Sequence, residues 1–387
     1  MTPQLPRRQP GPSLHDLTAS LLWPLLLRAG ALALRPARLC TAAVLLVLVT
    51  LIMRLPDLWL DEPGPASVVA TRALVASDDI REGTVQLDPS KVMDGVVNLL
   101  ARTPAAVAER FPWSIAAITL PILLFWGVLG AAISRSAARE VSLRDRGPWT
   151  ADLAFGLSKW HSAALIKLGP ILAFGACWGL VACLGWLLSF QVVQIGVGVL
   201  YPIGLILSLA CVVVGLCLLG SVHMLIPAVA CEGTDAIDAL QRCVAYALAK
   251  PLKLITYGAI LIAQAVVLTI VLHWIVEGAI SACVHAATAW VAEPGAEAFR
   301  SAAAGKGPAP EAWSPRTASA LVGFWSSLLR LGVGAFLVSF WFCGGTVQFL
   351  LMRRVCDGQD VEELWTPGAP ASPQSADVPE SNDADYA

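Results

Sequence analysis

Six stretches of this chain are apolar for long enough to cross a bilayer, and this feature restricts the possible folds more than any other. A helix needs roughly 20 mostly apolar residues to span about 30 Å of hydrocarbon. Helices satisfy their own backbone hydrogen bonds in lipid, so stretches of this length predict spanning helices. The predicted spans are residues 39–60, 114–134, 163–190, 202–228, 252–276 and 321–352. The predicted fold class is an all-α, polytopic transmembrane helical bundle.

Composition agrees with a membrane protein and gives no reason to propose a nucleic-acid partner. Of the 387 residues, 57% are hydrophobic and 14% are charged, whereas a soluble domain usually carries about a quarter charged residues. The net charge is −2, and the basic residues lie at helix ends rather than in a stripe. The lipid bilayer is therefore the predicted partner.

The polar segments divide the chain into a membrane domain and two tails. Residues 1–12 are rich in Pro and Arg and are predicted to be disordered. We expect no cleavable signal, because Pro24 and Arg28 interrupt the apolar part of the N-terminus. Residues 13–356 form the predicted six-helix domain. Residues 357–387 contain eight acids and no bases, which predicts an acidic, mostly disordered cytoplasmic tail.

Three segments between the spans predict amphipathic helices that lie at the cytoplasmic membrane interface, and two predict outer loops. The predicted interfacial helices are 13–34, 149–160 and 234–249, and the outer loops are 61–112 and 277–319.

The 234–249 helix has the clearest pattern. Asp235 is placed to cap it, and Pro251 follows its end. Asp238 and Arg242 are spaced for an i,i+4 ion pair of about 0.2–0.5 kcal/mol. Its expected apolar face consists of Ile237, Leu240, Val244 and Leu248.

Charge and tryptophan placement predict the orientation. Fifteen Lys and Arg flank the spans on the side of the termini, against eight on the other side. The positive-inside rule then places both termini in the cytoplasm. Tryptophan favours the headgroup region, and it falls at both sets of predicted helix ends. Those on the outer side are Trp59, Trp113, Trp186, Trp274 and Trp325, and those on the inner side are Trp23, Trp149, Trp160 and Trp365.

Four motifs resemble a family of uncharacterised bacterial six-span membrane proteins, and this resemblance implies a bacterial cytoplasmic (inner) membrane as the location. They are IPAVACEGTDAIDALQR at 226–242, AAISR at 131–135, AYALAKPL at 245–252 and FLLMRRVCDG at 349–358. The first is also similar to the membrane domain fused to some glycerophosphodiester phosphodiesterases. The resemblance covers most of residues 14–365, but Cys243 and Ala131 replace the usual small residue or Ser and the usual Gly. It implies no hydrolase, because a catalytic barrel would need about 250 further residues.

His223 and the residues of the 226–242 motif are the candidate functional residues. An ionisable group in a span is often functional, but His223 is close to a helix end and is also expected as a neutral histidine bonded to the neighbouring connector. Glu232, Asp235, Asp238 and Arg242 are candidates for a cation or headgroup site, and the same spacing suits capping and one helix pair.

Other polar side chains in the spans favour structural roles. Gln264 and Gln348 are expected in interhelical hydrogen bonds. The sixth stretch is longer than a bilayer requires, so either it tilts or its first turns stand outside the hydrocarbon, and Arg330 favours the second. The ten cysteines include no C-x-x-C pair, and we predict no catalytic residue, cofactor or metal site.

Our leading hypothesis is a non-catalytic membrane scaffold or accessory subunit that uses its cytoplasmic amphipathic helices to contact lipid headgroups or a membrane or cytoplasmic protein partner. The alternative is a transporter or permease subunit. An enzyme that acts on lipid ranks third, since it would need convergent carboxylates or histidines at one interface.

Overall fold

The structure is a computed structural model, and it describes residues 23–58, 64–86, 88–187, 189–190, 194–293, 295–305 and 313–366. Predictions for residues 1–12, for the first part of the 13–34 helix, for Trp59 and for the tail beyond residue 366 lie outside the described residues.

The described residues form helices and contain no strand. Their α-helices are, in chain order, α1 (Arg28–Ala33), α2 (Pro36–Arg54), α3 (Pro65–Gln86), α4 (Pro89–Val97), α5 (Thr103–Arg110), α6 (Pro112–Ser142), α7 (Trp149–Ser158), α8 (Trp160–Leu187), α9 (Gln194–Ser221), α10 (Leu225–Glu232), α11 (Ala236–Ala249), α12 (Pro251–Thr288), α13 (Gly295–Ala303) and α14 (Trp313–Asp357).

Six of these helices, α2, α6, α8, α9, α12 and α14, are long and apolar enough to cross a membrane. Each carries all or most of one of the six predicted apolar stretches. The predicted all-α helical bundle is confirmed, and the chain is a multi-pass membrane protein.

The fourth predicted span, 202–228, is not one helix. α9 ends at Ser221, and α10 begins at Leu225 after a turn. Pro227 explains the break, because proline has no N–H to donate to the carbonyl of His223 four residues earlier. That carbonyl lies so close to the α-carbon of Gly345 that a side chain at this position would collide with it.

Several helices continue beyond their apolar stretch. α6 runs to Ser142, and α12 runs to Thr288, well into the segment predicted as an outer loop. At 45 residues, α14 is about 67 Å long at 1.5 Å per residue, more than twice the hydrocarbon thickness. Arg330 on α14 donates to both carboxylate oxygens of Glu277 on α12, at 2.7 and 3.1 Å, and this pair joins the two extended helices.

The six long helices alternate in direction, so the start of α2 and the end of α14 lie at the same end of the bundle. We call this the basic end: it comprises α7, α10, α11, residues 143–148, the last turns of α6 and α14, and residues 358–366. The opposite end comprises α3, α4, α5 and α13. The largest fully buried side chains lie mostly in the half nearest the basic end, and they include Phe342, Phe349, Ile133, Met224 and Ile226.

The segment 13–34 was predicted to lie on the membrane surface. Its described part packs instead between α12 and α14. Leu26 and Ala29 are fully buried. Gln264 Nε2 donates to the carbonyl of Leu27 at 2.7 Å, and Ser339 Oγ donates to that of Ala33 at 2.9 Å. Ala33 is the last residue of α1, and a carbonyl at a helix end needs such a donor in an apolar bundle. The interhelical hydrogen bond predicted for Gln264 is confirmed.

Candidate functional site

Glu232 is the centre of the charged network at the basic end. It is the last residue of α10, and its two carboxylate oxygens accept from Arg353 Nη1 at 3.0 Å and Arg242 Nη1 at 3.1 Å. Arg353, on α14, is only 3% exposed. A buried guanidinium needs a nearby anion, so Glu232 joins α10, α11 and α14.

Of the four motif candidates, the structure brings together Glu232 and Arg242 but not Asp235 and Asp238. The predicted Asp238–Arg242 pair is wrong: Arg242 binds Glu232 instead, and both aspartates are exposed with no ion pair among the described residues. Asp235 does occupy the N-cap position of α11, yet its side chain makes no capping hydrogen bond. Gly233, which ends α10, turns the chain back and places Arg242 beside Glu232.

Residues 358–366, which we call the C-terminal strap, fold back across the basic end. The backbone N–H of Trp365 donates to the carbonyl of Cys231 at 3.3 Å, and Arg135 Nη2 donates to the backbone carbonyl of Trp365 at 2.7 Å. Arg353 also donates to the carbonyls of Asp360 and Glu363. Residues 357–387 were predicted to be mostly disordered, but the strap residues 358–366 are docked on the bundle.

The Trp365 ring lies in a pocket of aromatic and cationic side chains. Its centroid is 6.3 Å from that of Phe155, and Lys159 Nζ lies 5.7 Å from it. On another side, the ring stands against the α-carbon of Gly233, whose left-handed backbone (φ +62°) already favours glycine. The sequence signal for this contact was a single tryptophan within an acidic tail.

A second charged cluster lies where α2, α6 and α7 meet, around a cavity of about 330 Å³. Glu140 accepts from Arg35 and, at 2.8 Å, from Arg38. Arg139 pairs with Asp152 at 3.1 Å. Burial raises the pKa of Asp152 even though Arg139 opposes the shift. These charges pair with one another across helices, which suits a structural role.

His223 was expected to bond to the neighbouring connector. It bonds instead to Gln348 on α14. Its Nε2 lies 2.8 Å from Gln348 Oε1, and Gln348 Nε2 donates to the carbonyl of Leu254 at 3.1 Å. The interhelical hydrogen bond predicted for Gln348 is thus confirmed. These contacts join the end of α9 to α12 and α14.

Within the described chain, no group of three or more His, Cys, Asp or Glu side chains could hold a metal ion. Burial raises the pKa of the Cys231 thiol to about 12 and raises that of Cys243 as well. Both thiols are therefore protonated at neutral pH, which disfavours them as ligands or nucleophiles.

The fold and this network define a multi-pass, all-α membrane protein with a network of ion pairs at one end. In comparisons with known proteins, no family model, no curated protein and no solved structure matches the chain.

Proposed function

We propose that this protein is a non-catalytic membrane scaffold or accessory subunit whose basic end contacts anionic lipid headgroups. The observation that supports this best is the presence of exposed apolar side chains next to exposed arginines on the connector between α6 and α8.

Trp149 and Leu157 on that connector and Trp160 at the start of α8 are 58%, 57% and 53% exposed. Arg144 and Arg146 are exposed in the loop that precedes α7. Tryptophan and leucine beside arginine suit the boundary between acyl chains and anionic headgroups.

α11 has a similar division of its surface. Ala239, Cys243 and Tyr246 pack onto the bundle, while Ile237 and Leu248 remain exposed. We propose that α7 and α11 are the amphipathic interfacial helices predicted from the sequence.

The hydrogen bonds of the polar side chains in and near the spans favour a scaffold over the alternative of a transporter subunit. Gln264, Gln348 and His223 each make a hydrogen bond to a neighbouring helix, so all three help to hold the bundle together. At the basic end, Glu232 is occupied by two arginines, which also disfavours the lipid-enzyme hypothesis.

The proposal includes a bacterial cytoplasmic membrane as the location, with the basic end and both termini in the cytoplasm. The excess of Lys and Arg on this side supports that orientation. Membership of the uncharacterised six-span family is part of the same proposal, since it rests on the four sequence motifs alone.

The test compares two double variants in phosphatidylcholine vesicles with and without phosphatidylglycerol. We expect phosphatidylglycerol to raise the thermal unfolding midpoint of the wild-type protein. The Arg144→Gln/Arg146→Gln variant should lose most of this increase, because each surface arginine contributes about 1 kcal/mol to anionic lipid binding, and added salt should weaken the effect.

The matched control is Arg72→Gln/Arg316→Gln, which removes two exposed arginines from the other side of the bundle. An equal loss in the control, or no response of the wild-type protein to phosphatidylglycerol, would contradict the proposal.

A further inference from the structure

A cavity of about 540 Å³ lies between α9, α12 and α14. Its walls are membrane-length helices, and its lining side chains are apolar except for His223 and the indole N–H of Trp341. Glycines such as Gly220, Gly258 and Gly344 create the space, because they present no side chain to it. We call this cavity the His223 groove.

The groove has the length and polarity of one lipid chain in one leaflet. Along α12 it extends from Leu254 to Ala265, which is about 16 Å at 1.5 Å per residue. Half of a typical hydrocarbon core is about 15 Å. His223 lies at the end of the groove nearest the basic end, just after α9, so the polar group is where a lipid's polar part would be.

The hydrogen bonds of Gln348 determine which nitrogen of His223 is free. Since Gln348 Nε2 donates to the carbonyl of Leu254, Gln348 Oε1 must face His223 and accept a hydrogen bond from the Nε2–H of that ring. A neutral ring with its proton on Nε2 has Nδ1 as an acceptor. Among the described residues, Nδ1 has no hydrogen-bond partner, and the ring lines the groove.

We propose that the His223 groove binds one acyl chain of a neutral glycerolipid whose free hydroxyl donates to His223 Nδ1. A diacylglycerol has this chemistry. Phosphate-bearing headgroups fit less well, because no Lys or Arg lines the groove. The inference goes beyond the proposed function, which concerns the exposed surface of α7 and α11.

The first test blocks the groove. The full-length protein in phosphatidylcholine vesicles is labelled with a diacylglycerol that carries a photoreactive diazirine in one acyl chain. Gly258→Leu should abolish labelling, because a Cβ there has only Gln348 Nε2 nearby, at 4.0 Å, and the side chain can enter the groove without a backbone clash. Gly278→Leu, on the same helix with nothing within 4 Å, is the matched control and should be labelled like the wild type.

In the wild type, mass spectrometry should place the label on groove-lining peptides of α12 and α14. Unchanged labelling of a folded Gly258→Leu variant, or label spread evenly over the spans, would overturn the proposal. Thermal unfolding of both variants reports whether they are folded.

The second test needs no variant and isolates the hydroxyl. Unlabelled diacylglycerol and its O-methyl ether compete with the probe for the wild-type protein. One hydrogen bond is worth about twofold to tenfold in binding, and the diacylglycerol should compete better by about that factor. Equal competition by the ether or by phosphatidylcholine would show that any lipid chain fills the groove and would overturn the proposed hydroxyl contact.

Discussion

Glu232 shows how a single residue connects three helices at the basic end. Arg353 is buried, and it has the Glu232 carboxylate and two strap carbonyls as acceptors. The Glu232 carboxylate also binds Arg242, which is 40% exposed. Removing the anion would leave the buried cation without its ion pair, and such a loss is more damaging than the loss of a surface pair.

We therefore predict that Glu232→Gln lowers the free energy of unfolding by about 3–5 kcal/mol, the usual effect of breaking a buried pair on one side. Thermal or denaturant unfolding in detergent, followed by tryptophan fluorescence, measures this. The same acid-to-amide change in Asp238→Asn should alter stability by less than about 0.5 kcal/mol, because Asp238 is exposed and unpaired among the described residues. Similar effects of the two substitutions would contradict the central role of Glu232.

At the scale of elements, the strap depends on Trp365. Gly233 and Gly358 both have left-handed backbone, with φ values of +62° and +71°. Only Gly233 has the Trp365 ring against its α-carbon, whereas nothing lies within 4 Å of a Cβ at Gly358. Substitutions at the two glycines therefore distinguish the effect of backbone strain from the effect of displacing the Trp365 ring.

Gly233→Ala should release the strap, whereas Gly358→Ala should add only the strain of a left-handed alanine, about 1 kcal/mol. Hydrogen exchange of residues 358–366 measures the release: we expect faster exchange in Gly233→Ala, matching Trp365→Ala, and near wild-type exchange in Gly358→Ala. If Trp365→Ala leaves exchange unchanged, the ring does not hold the strap.

The same elements show which features sequence patterns can predict. A span needs a long apolar stretch, so the six spans were predictable. Helix ends depend on contacts with other helices. α12 continues through Glu277 because the charge of Glu277 is paired with Arg330 on α14, a helix that is far away in sequence but adjacent in the fold. Likewise, the spacing of Asp238 and Arg242 predicted a local pair, but Glu232 lies closer to the guanidinium once Gly233 turns the chain.

For the whole molecule, the two ends differ in how deeply their ion pairs are buried. The basic end contains the buried ion pairs around Glu232 and Glu140. α8 and α12 expose most of their apolar side chains between the two ends, as expected for helices surrounded by lipid. Function is therefore expected at the basic end and in the groove that opens beside it.

The proposed orientation predicts the outcome of reporter fusions in a bacterial host. Green fluorescent protein fused after Ala387 should fluoresce, and alkaline phosphatase fused after Gly305, in an exposed turn, should be active, because its disulfides form only in the oxidising compartment outside the cytoplasm. Exchanging the two reporters between these positions is the matched control and should silence both. Activity of alkaline phosphatase after Ala387 would reverse the orientation and would place the basic end, with Arg144 and Arg146, outside the cytoplasm.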